Sequence, residues 1–335
     1  MKVKFFDPGA NYKRLKKEVD AAITDVLSRG DLILRDDVEK FEATLAEYVG
    51  TKYAVAMNSG TDALYLSLLA WGIGPGHVVL CPSYTFRATV DSAKRTGAEV
   101  ILYDKDEVPD FNTYPCTVWM PAHIAGFVPE WMEEKIKEAR LKNILVIEDA
   151  AQAIGAAPVL GHAACYSFYP AKILGCYGDG GAVCTDDWAH ADWLRRARNH
   201  FKGERGEIGL NSRLDNLQAA ILNVKMKHLE DDIVTRLLIA NEYNRELPAA
   251  VRDQETRGVY QDYIINCDDV TKLRKFLAER GVETMENGYP FADCFKKGPK
   301  TEHYEAHSLR IPCNPELTPE QVSWVITCIN EYYGV

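Results

Sequence analysis

Residues 53–71, YAVAMNSGTDALYLSLLAW, decide the fold by a change of period. Tyr53 to Met57 are apolar without alternation, which suits a strand covered on both faces. Asn58-Ser59-Gly60-Thr61 then stop the run and open a helix of Ala63, Leu64, Leu66, Ser67 and Leu68. The same couple recurs downstream. VVLC (78–81) leads into FRATVDSAKRTG (86–97), and EVILYD (99–104), CTVWMPAH (116–123), NILVIED (143–149) and ACYSFY (164–169) are further apolar runs of strand length. Strands alternating with helices imply an α/β domain with a mostly parallel sheet flanked by helices. Upstream, residues 11–30 repeat apolar side chains at helical spacing and end on Gly30, and a second amphipathic stretch runs from Val38 to Val49. Downstream, residues 216–247 read as long and helical, followed by a weaker strand, GVYQDYIINC, and helices in VTKLRKFLAERG and PEQVSWVITCINEYY. The expected organisation is a large domain over 1–235 and a smaller α+β domain over 236–335.

Composition narrows the class. The chain has 335 residues, 47% hydrophobic and 26% charged, ordinary values for a soluble globular protein. A net charge of −10 with no basic block argues against a nucleic-acid binder. The nine cysteines are scattered without a C-x-x-C pair, which points to reduced thiols rather than disulfides or a metal site. The amino end lacks a signal-peptide core, and the apolar run 63–80 is broken by Gly72, Gly74, Pro75 and Gly76, so neither secretion nor membrane insertion is expected. A soluble cytoplasmic protein is the expectation.

Ligands of open α/β sheets bind beyond the carboxyl ends of the strands, so the residues just after each apolar run carry the information. Gly60 and Thr61 begin a helix whose free N–H groups suit an anion, although Ser59 could be an ordinary N-cap. Asp149 stands at the tip of a buried strand, where a carboxylate is costly unless it meets a cation or a donor. Phe86 falls near the same rim, as does His123, which could equally be a satisfied buried imidazole. Ser167 opens SFYPAKILGCYGDGGAV (167–183), in which Lys172 is the single lysine, set between aromatic and aliphatic neighbours. A lysine drawn toward a dry site either pairs with an anion or loses its proton and becomes a nucleophile. Together these groups match pyridoxal 5′-phosphate: a lysine amine for the aldehyde, an aspartate for the ring nitrogen, donors for the phosphate and an aromatic for the ring. Lys172 is therefore read as the Schiff-base lysine.

The strings ILRDDVEKFEATLAEYVG, NSGTDAL, EDAAQAIGA, SFYPAKILGCYGDGGAV and GLNSRLDNLQAAIL resemble the DegT/DnrJ family of nucleotide-sugar aminotransferases. The resemblance implies the type I fold of aspartate aminotransferase and a pyridoxal phosphate enzyme that moves an amino group from an amino acid, glutamate by expectation, to a nucleotide-linked keto sugar. It implies Lys172 as the proton-shuttling base, Asp149 at the pyridine nitrogen, Gln152 at the ring hydroxyl and Phe86 on the ring face. Gly60, Thr61 and Ser167 fall at phosphate positions. Asn211 matches a residue given to the phosphate by the neighbouring subunit, implying a homodimer with shared sites, and Arg213 and Tyr289 fall where substrate is met. The strings look closest to enzymes that aminate a 3-keto UDP-N-acetylglucosaminuronic acid. The chain departs from the family pattern in shorter stretches before CTVWMPAH and ACYSF, in Arg35 where a glycine is common, and in NGYPFADCF (287–295), of which Tyr289 is the recognisable remnant. Alternatives are a cyclitol or other non-nucleotide ketone as acceptor, and a cofactor-binding regulatory protein without turnover.

Overall fold

Local capping signals set the first two helices. The structure is a computed structural model describing residues 1–205, 209–252, 258–289 and 295–335. Helix α1 (Pro8–Arg29) begins where the Asp7 carboxylate accepts from the Ala10 N–H, with Pro8 in its first turn, and stops at Gly30 in the left-handed region. Helix α2 (Asp36–Val49) ends the same way at Gly50, and buries Val38, Phe41, Leu45 and Val49 along one face. Arg35 is its N-cap but offers no side-chain cap.

The chain then alternates: β1 (Tyr53–Met57), α3 (Gly60–Ala70), β2 (Val78–Pro82), α4 (Arg87–Arg95), β3 (Glu99–Tyr103), β4 (Val118–Trp119), α5 (Met132–Leu141), β5 (Leu145–Asp149), β6 (Ala163–Ser167), β7 (Gly181–Thr185) and α6 (Trp188–Ala197). The seven strands form one sheet in the order β1-β7-β6-β5-β4-β2-β3. Neighbours from β6 to β3 are parallel, while β7 is antiparallel to both β1 and β6. The sheet is thus mostly parallel, as expected, but β7 has no counterpart in the sequence reading. No crossover helix forms between β6 and β7; the connection carries Lys172 instead, and the chain returns antiparallel. One face of the sheet is covered by apolar residues of α3, α4 and α6, the other by those of α2 and α7 (Asn216–Met226).

The long helical stretch divides into α7 and α8 (Leu229–Glu246). Lys227 and His228 bond three residues back, to Val224 and Lys225, and this tightened turn redirects the chain. Leu229 and Ile233 of α8 pack with the large sheet's core, whereas Ile239, Ala240 and Tyr243 pack with the second core, so one helix runs across the expected division at residue 235. That second core lies under β8 (Tyr263–Asn266), α9 (Val270–Glu279), β9 (Met285–Glu286), α10 (Pro299–Ala306), β10 (Ser308–Ile311) and α11 (Pro319–Tyr333). Its strands form an antiparallel sheet in the order β8-β10-β9, and α11 opens on a capping box of Thr318 and Gln321. The amino end joins this part through a bridge between Val3 and Val282. Among the described residues no helix is long and apolar enough to cross a membrane.

The arrangement places chemistry at one edge of the large sheet. Met57 and Ser167 both pair with Gly181, so the ends of β1 and β6 and the start of β7 are level. Asp149 ends β5 beside them.

Candidate active site

A cavity of about 710 Å³ opens between this edge and the smaller sheet. Eight residues given a cofactor or substrate role from the sequence line it, Gly60, Thr61, Phe86, Asp149, Gln152, Ser167, Lys172 and Tyr289, together with Ser59 and His123. They come from the starts of α3 and α4, the ends of β5 and β6, the loop after β6 and the segment after β9, so the fold gathers residues spread over most of the chain.

The acid end is built around Asp149, which is 6% exposed. Its Oδ2 accepts a 2.6 Å hydrogen bond from the Thr89 hydroxyl and its Oδ1 accepts from the Ala151 N–H at 3.2 Å. The Thr89 oxygen also lies 2.7 Å from the Thr85 oxygen and 3.1 Å from the Phe86 carbonyl. Thr89 has one hydrogen to give, and the shorter contact to a carboxylate takes it. Thr85 then donates to Thr89, and both hydroxyls are fully buried. Burial raises the Asp149 carboxyl above its usual range; the Thr89 and Ala151 donors, then Lys172 and His123, oppose that rise. The carboxylate is thus held ready for a further cationic donor from the cavity.

Gln152 is oriented by a backbone group. The Ala125 N–H donates to its Oε1 at 2.6 Å, which makes Nε2 the donor end; one of its two hydrogens goes to the Tyr289 hydroxyl at 3.4 Å. The Tyr289 ring meets Phe86 edge-on at 5.9 Å between centroids, and its hydroxyl accepts from Arg310 Nη1 at 3.2 Å. Phe86 is 50% exposed, an aromatic with one face open at the cavity rim.

The opposite end is an anion cradle at the start of α3. The Ser59 hydroxyl caps the helix by accepting from the Asp62 N–H, so the ordinary N-cap reading of Ser59 holds. The N–H groups of Gly60 and Thr61, at the first helical positions, have no intrahelical acceptor. Two glycines let this helix start lie close against β6 and β7. A Cβ on Gly60 would lie 2.8 Å from the Ser167 Cβ, and one on Gly181 would lie 2.5 Å from the Gly60 nitrogen and strike the Ser59 carbonyl group.

Lys172 lies in the loop after β6, its side chain partly shielded and opening on the cavity. Burial lowers its amine pKa, while Asp262 and then Asp149 hold it up. A less basic amine facing a carboxylate and an anion cradle can act both as nucleophile and as proton carrier.

Asn211 and Arg213 are not among the residues lining this cavity. Asn211 is exposed and forms an isolated bridge with Asn199, whose side-chain oxygen accepts from Arg213 Nη1 at 3.0 Å. Arg213 Nε is buried without a partner. Of the segment NGYPFADCF, residues 290–294 lie outside the described residues. His123 lines the cavity and is 2% exposed; its Nε2 is 2.8 Å from Glu148 Oε2, and Nδ1 has no partner. Glu148 Oε1 in turn accepts from the Leu160 and Gly161 N–H groups at 2.8 and 2.6 Å.

The sequence reading missed several residues of the site: Thr89 behind Asp149, and Gln261, Asp262 and Arg310 in the cavity wall. Thr89 sits inside a helix, where a threonine carries no signal. Asp262 and Arg310, joined at 3.2 Å, are charged residues within otherwise apolar strand runs, a pattern that could have marked them. Gln261 beside Asp262 gave no signal.

The donor set fits pyridoxal phosphate: an amine of lowered basicity, a buried carboxylate, an oriented amide donor, an open aromatic and a helix start whose first N–H groups have no intrahelical acceptor. Comparison with known proteins agrees. The profile of the DegT/DnrJ/EryC1/StrS aminotransferase family matches residues 13–330. A "pleiotropic regulatory protein" of Geobacillus stearothermophilus is 37% identical over 99% of both chains. The UDP-2-acetamido-2-deoxy-3-oxo-D-glucuronate aminotransferase of Pseudomonas aeruginosa is 32% identical, covering 98% of this chain and 99% of its own. The crystal structure of S. venezuelae DesV superposes with a TM-score of 0.91 at 33% identity, over 99% of this chain and 98% of that one.

Proposed function

Because the chain belongs to the DegT/DnrJ/EryC1/StrS aminotransferase family and has its type I fold, we propose that it is a pyridoxal phosphate enzyme that transfers an amino group to a nucleotide-linked keto sugar. The observation that carries this is the convergence of Lys172, Asp149, Gln152 and the Gly60–Thr61 helix start on one cavity. When bound, pyridoxal phosphate supplies an aldehyde that condenses with amines and a protonated ring that takes up the electrons of a deprotonated carbon. Asp149, kept anionic by Thr89 and Ala151, would hold the proton on the ring nitrogen. Gln152 Nε2 would donate to the ring oxygen and Phe86 would cover the ring. Gly60, Thr61 and Ser167 would take the phosphate. Lys172, once released from the cofactor, would carry the proton from the donor's α-carbon, and the same amine would serve in reverse on the sugar.

Glutamate is the proposed donor, as the family resemblance implies. The proposed working unit is a homodimer with shared sites. It is supported by the exposure of Asn211 and by the partnerless Nε of Arg213, polar groups on a segment outside the single-chain cavity. The acceptor is proposed to be a UDP-linked 3-keto sugar acid, as for the P. aeruginosa relative. The test is a panel of UDP- and dTDP-linked 3-keto and 4-keto sugars, with cyclitol ketones beside them, each offered with glutamate and read by the mass change from ketone to amine. Conversion of any of them supports the assignment; conversion of cyclitol ketones alone overturns the nucleotide-sugar part. A second reading, a cofactor-binding regulator without turnover, is favoured by the name of the Geobacillus relative alone. A half-reaction with glutamate decides between the two.

A further inference from the structure

Gln261 stands at the entry to β8, in the smaller part of the fold, yet its carboxamide reaches the loop of Lys172. Its Oε1 accepts from the Ile173 N–H at 2.9 Å and its Nε2 donates to the Ala171 carbonyl at 2.8 Å. The amide thus binds the backbone on both sides of Lys172, as a neighbouring strand would. Its own main chain is held as firmly. The Gln261 N–H donates to the Ala125 carbonyl at 2.9 Å, and its carbonyl accepts from Arg236 Nη1 at 3.2 Å. The same Arg236 nitrogen reaches the Tyr260 and Cys313 carbonyls at 3.0 and 2.5 Å. Ala125 is also the residue whose N–H fixes Gln152, so one residue holds the Gln152 side chain through its N–H and the Gln261 main chain through its carbonyl. Both supports are strained: Ala125 has φ 58° and Tyr260 φ 49°, left-handed conformations that residues with a Cβ rarely adopt.

Resting on the proposed function, we infer that Gln261 is a positioning residue that aims the Lys172 amine, both toward the cofactor aldehyde it would condense with and toward the donor α-carbon it would deprotonate, and couples that aim to Gln152. Several observations support this. The only side chain that the hydrogen bonds place on the peptides on both sides of Lys172, among the described residues, is that of Gln261. Its neighbour Asp262 is the foremost charge holding up the Lys172 amine pKa against burial. Removing the amide leaves other anchors of the loop, among them the Lys172 N–H to the Tyr169 carbonyl at 2.8 Å and the Cys176 N–H to the Phe168 carbonyl at 2.9 Å, and so frees the lysine without unfolding the loop.

The test is Gln261→Met, which keeps the volume and removes both hydrogen bonds, with Gln261→Glu, which keeps the acceptor for Ile173 and sets a carboxylate against the Ala171 carbonyl. Two rates are measured on holoprotein and on apoprotein given pyridoxal phosphate. One is the rate at which bound cofactor becomes fixable to Lys172 by borohydride, read by peptide mass. The other is the half-reaction at saturating glutamate. Both rates are expected to fall about 10- to 100-fold, as for a reacting group displaced by about 1 Å, while cofactor stoichiometry, melting temperature and half-saturating glutamate stay near wild type. Wild-type rates in either folded variant overturn the inference, as does a loss that only tracks the folded fraction. If Gln261→Met does not fold, Gln261→Glu decides by the same criteria. A wild-type protein that never fixes the cofactor to Lys172 refutes the proposed function instead, so the two failures are distinct.

Discussion

Replacing Thr89 by valine tests how the fold keeps Asp149 anionic. The substitution preserves shape and deletes the 2.6 Å donor to Asp149 Oδ2. Hydrogen bonds to charged groups contribute about 1.5–3 kcal/mol, and each pKa unit is about 1.4 kcal/mol, so the carboxyl should rise by roughly 1–2 units. The direction adds to the rise that burial already imposes. A protonated Asp149 cannot hold the ring proton, so the acid limb of the half-reaction with glutamate should move up in pH by that amount. At pH values above the shifted limb the rate should recover. Valine also strands the fully buried Thr85 hydroxyl, which donates to Thr89, and stability should fall by about 1–3 kcal/mol. The assay is stopped-flow absorbance across pH for wild type, Thr89→Val and Thr89→Ser. Serine keeps the hydroxyl and should restore the wild-type limb. An unmoved limb in Thr89→Val, or an equal shift in Thr89→Ser, would refute the link between the hydroxyl and the carboxylate.

Gly181→Ala should weaken pyridoxal phosphate binding by at least about tenfold, or about 1.4 kcal/mol, because the new Cβ would displace the Ser59–Gly60 peptide that begins the anion cradle; equilibrium titration of the apoprotein checks this, and unchanged affinity removes the cradle from the phosphate. Asp149→Asn should retain the cofactor but lose most of the half-reaction rate, before any sugar is present; a wild-type rate would leave the carboxylate only a structural role. If Asn211 serves the neighbour's site, co-refolding equal amounts of Lys172→Ala and Asn211→Asp should put both defects in one site of each mixed dimer and leave the other intact, giving ~25% of wild-type activity by random pairing. Activity no higher than the mean of the two mutants alone, with exchange verified by mass, would assign Asn211 to its own chain.

The strands of the large sheet were legible wherever a buried run was apolar throughout, as in YAVAM, VVLC and NILVIED, because burial on both faces leaves no other pattern. GAVCT was not, since the glycines leading into it read as a loop; Gly181 serves close approach to Ser59 and Gly60, a constraint visible only in three dimensions. The division of residues 216–247 into two helices also escaped, because no glycine or proline marks the turn at Lys227–His228. In the site, Lys172, Asp149 and Gly60 announce themselves as residue types out of place in apolar or tightly turned surroundings. Thr89 and Gln261 do not. A buried threonine and a strand-entry glutamine acquire their roles from partners 60 and 88 residues away in sequence, and one chain's sequence carries no record of such pairings.

The account rests on Lys172. Borohydride reduction of the protein loaded with pyridoxal phosphate, followed by proteolysis and peptide mass mapping, tests it most directly. A pyridoxyl group on the peptide containing Lys172, with none on any other lysine and none formed in Lys172→Ala, is the predicted result; fixation at a different lysine, or no fixation while the protein still turns over, would contradict it.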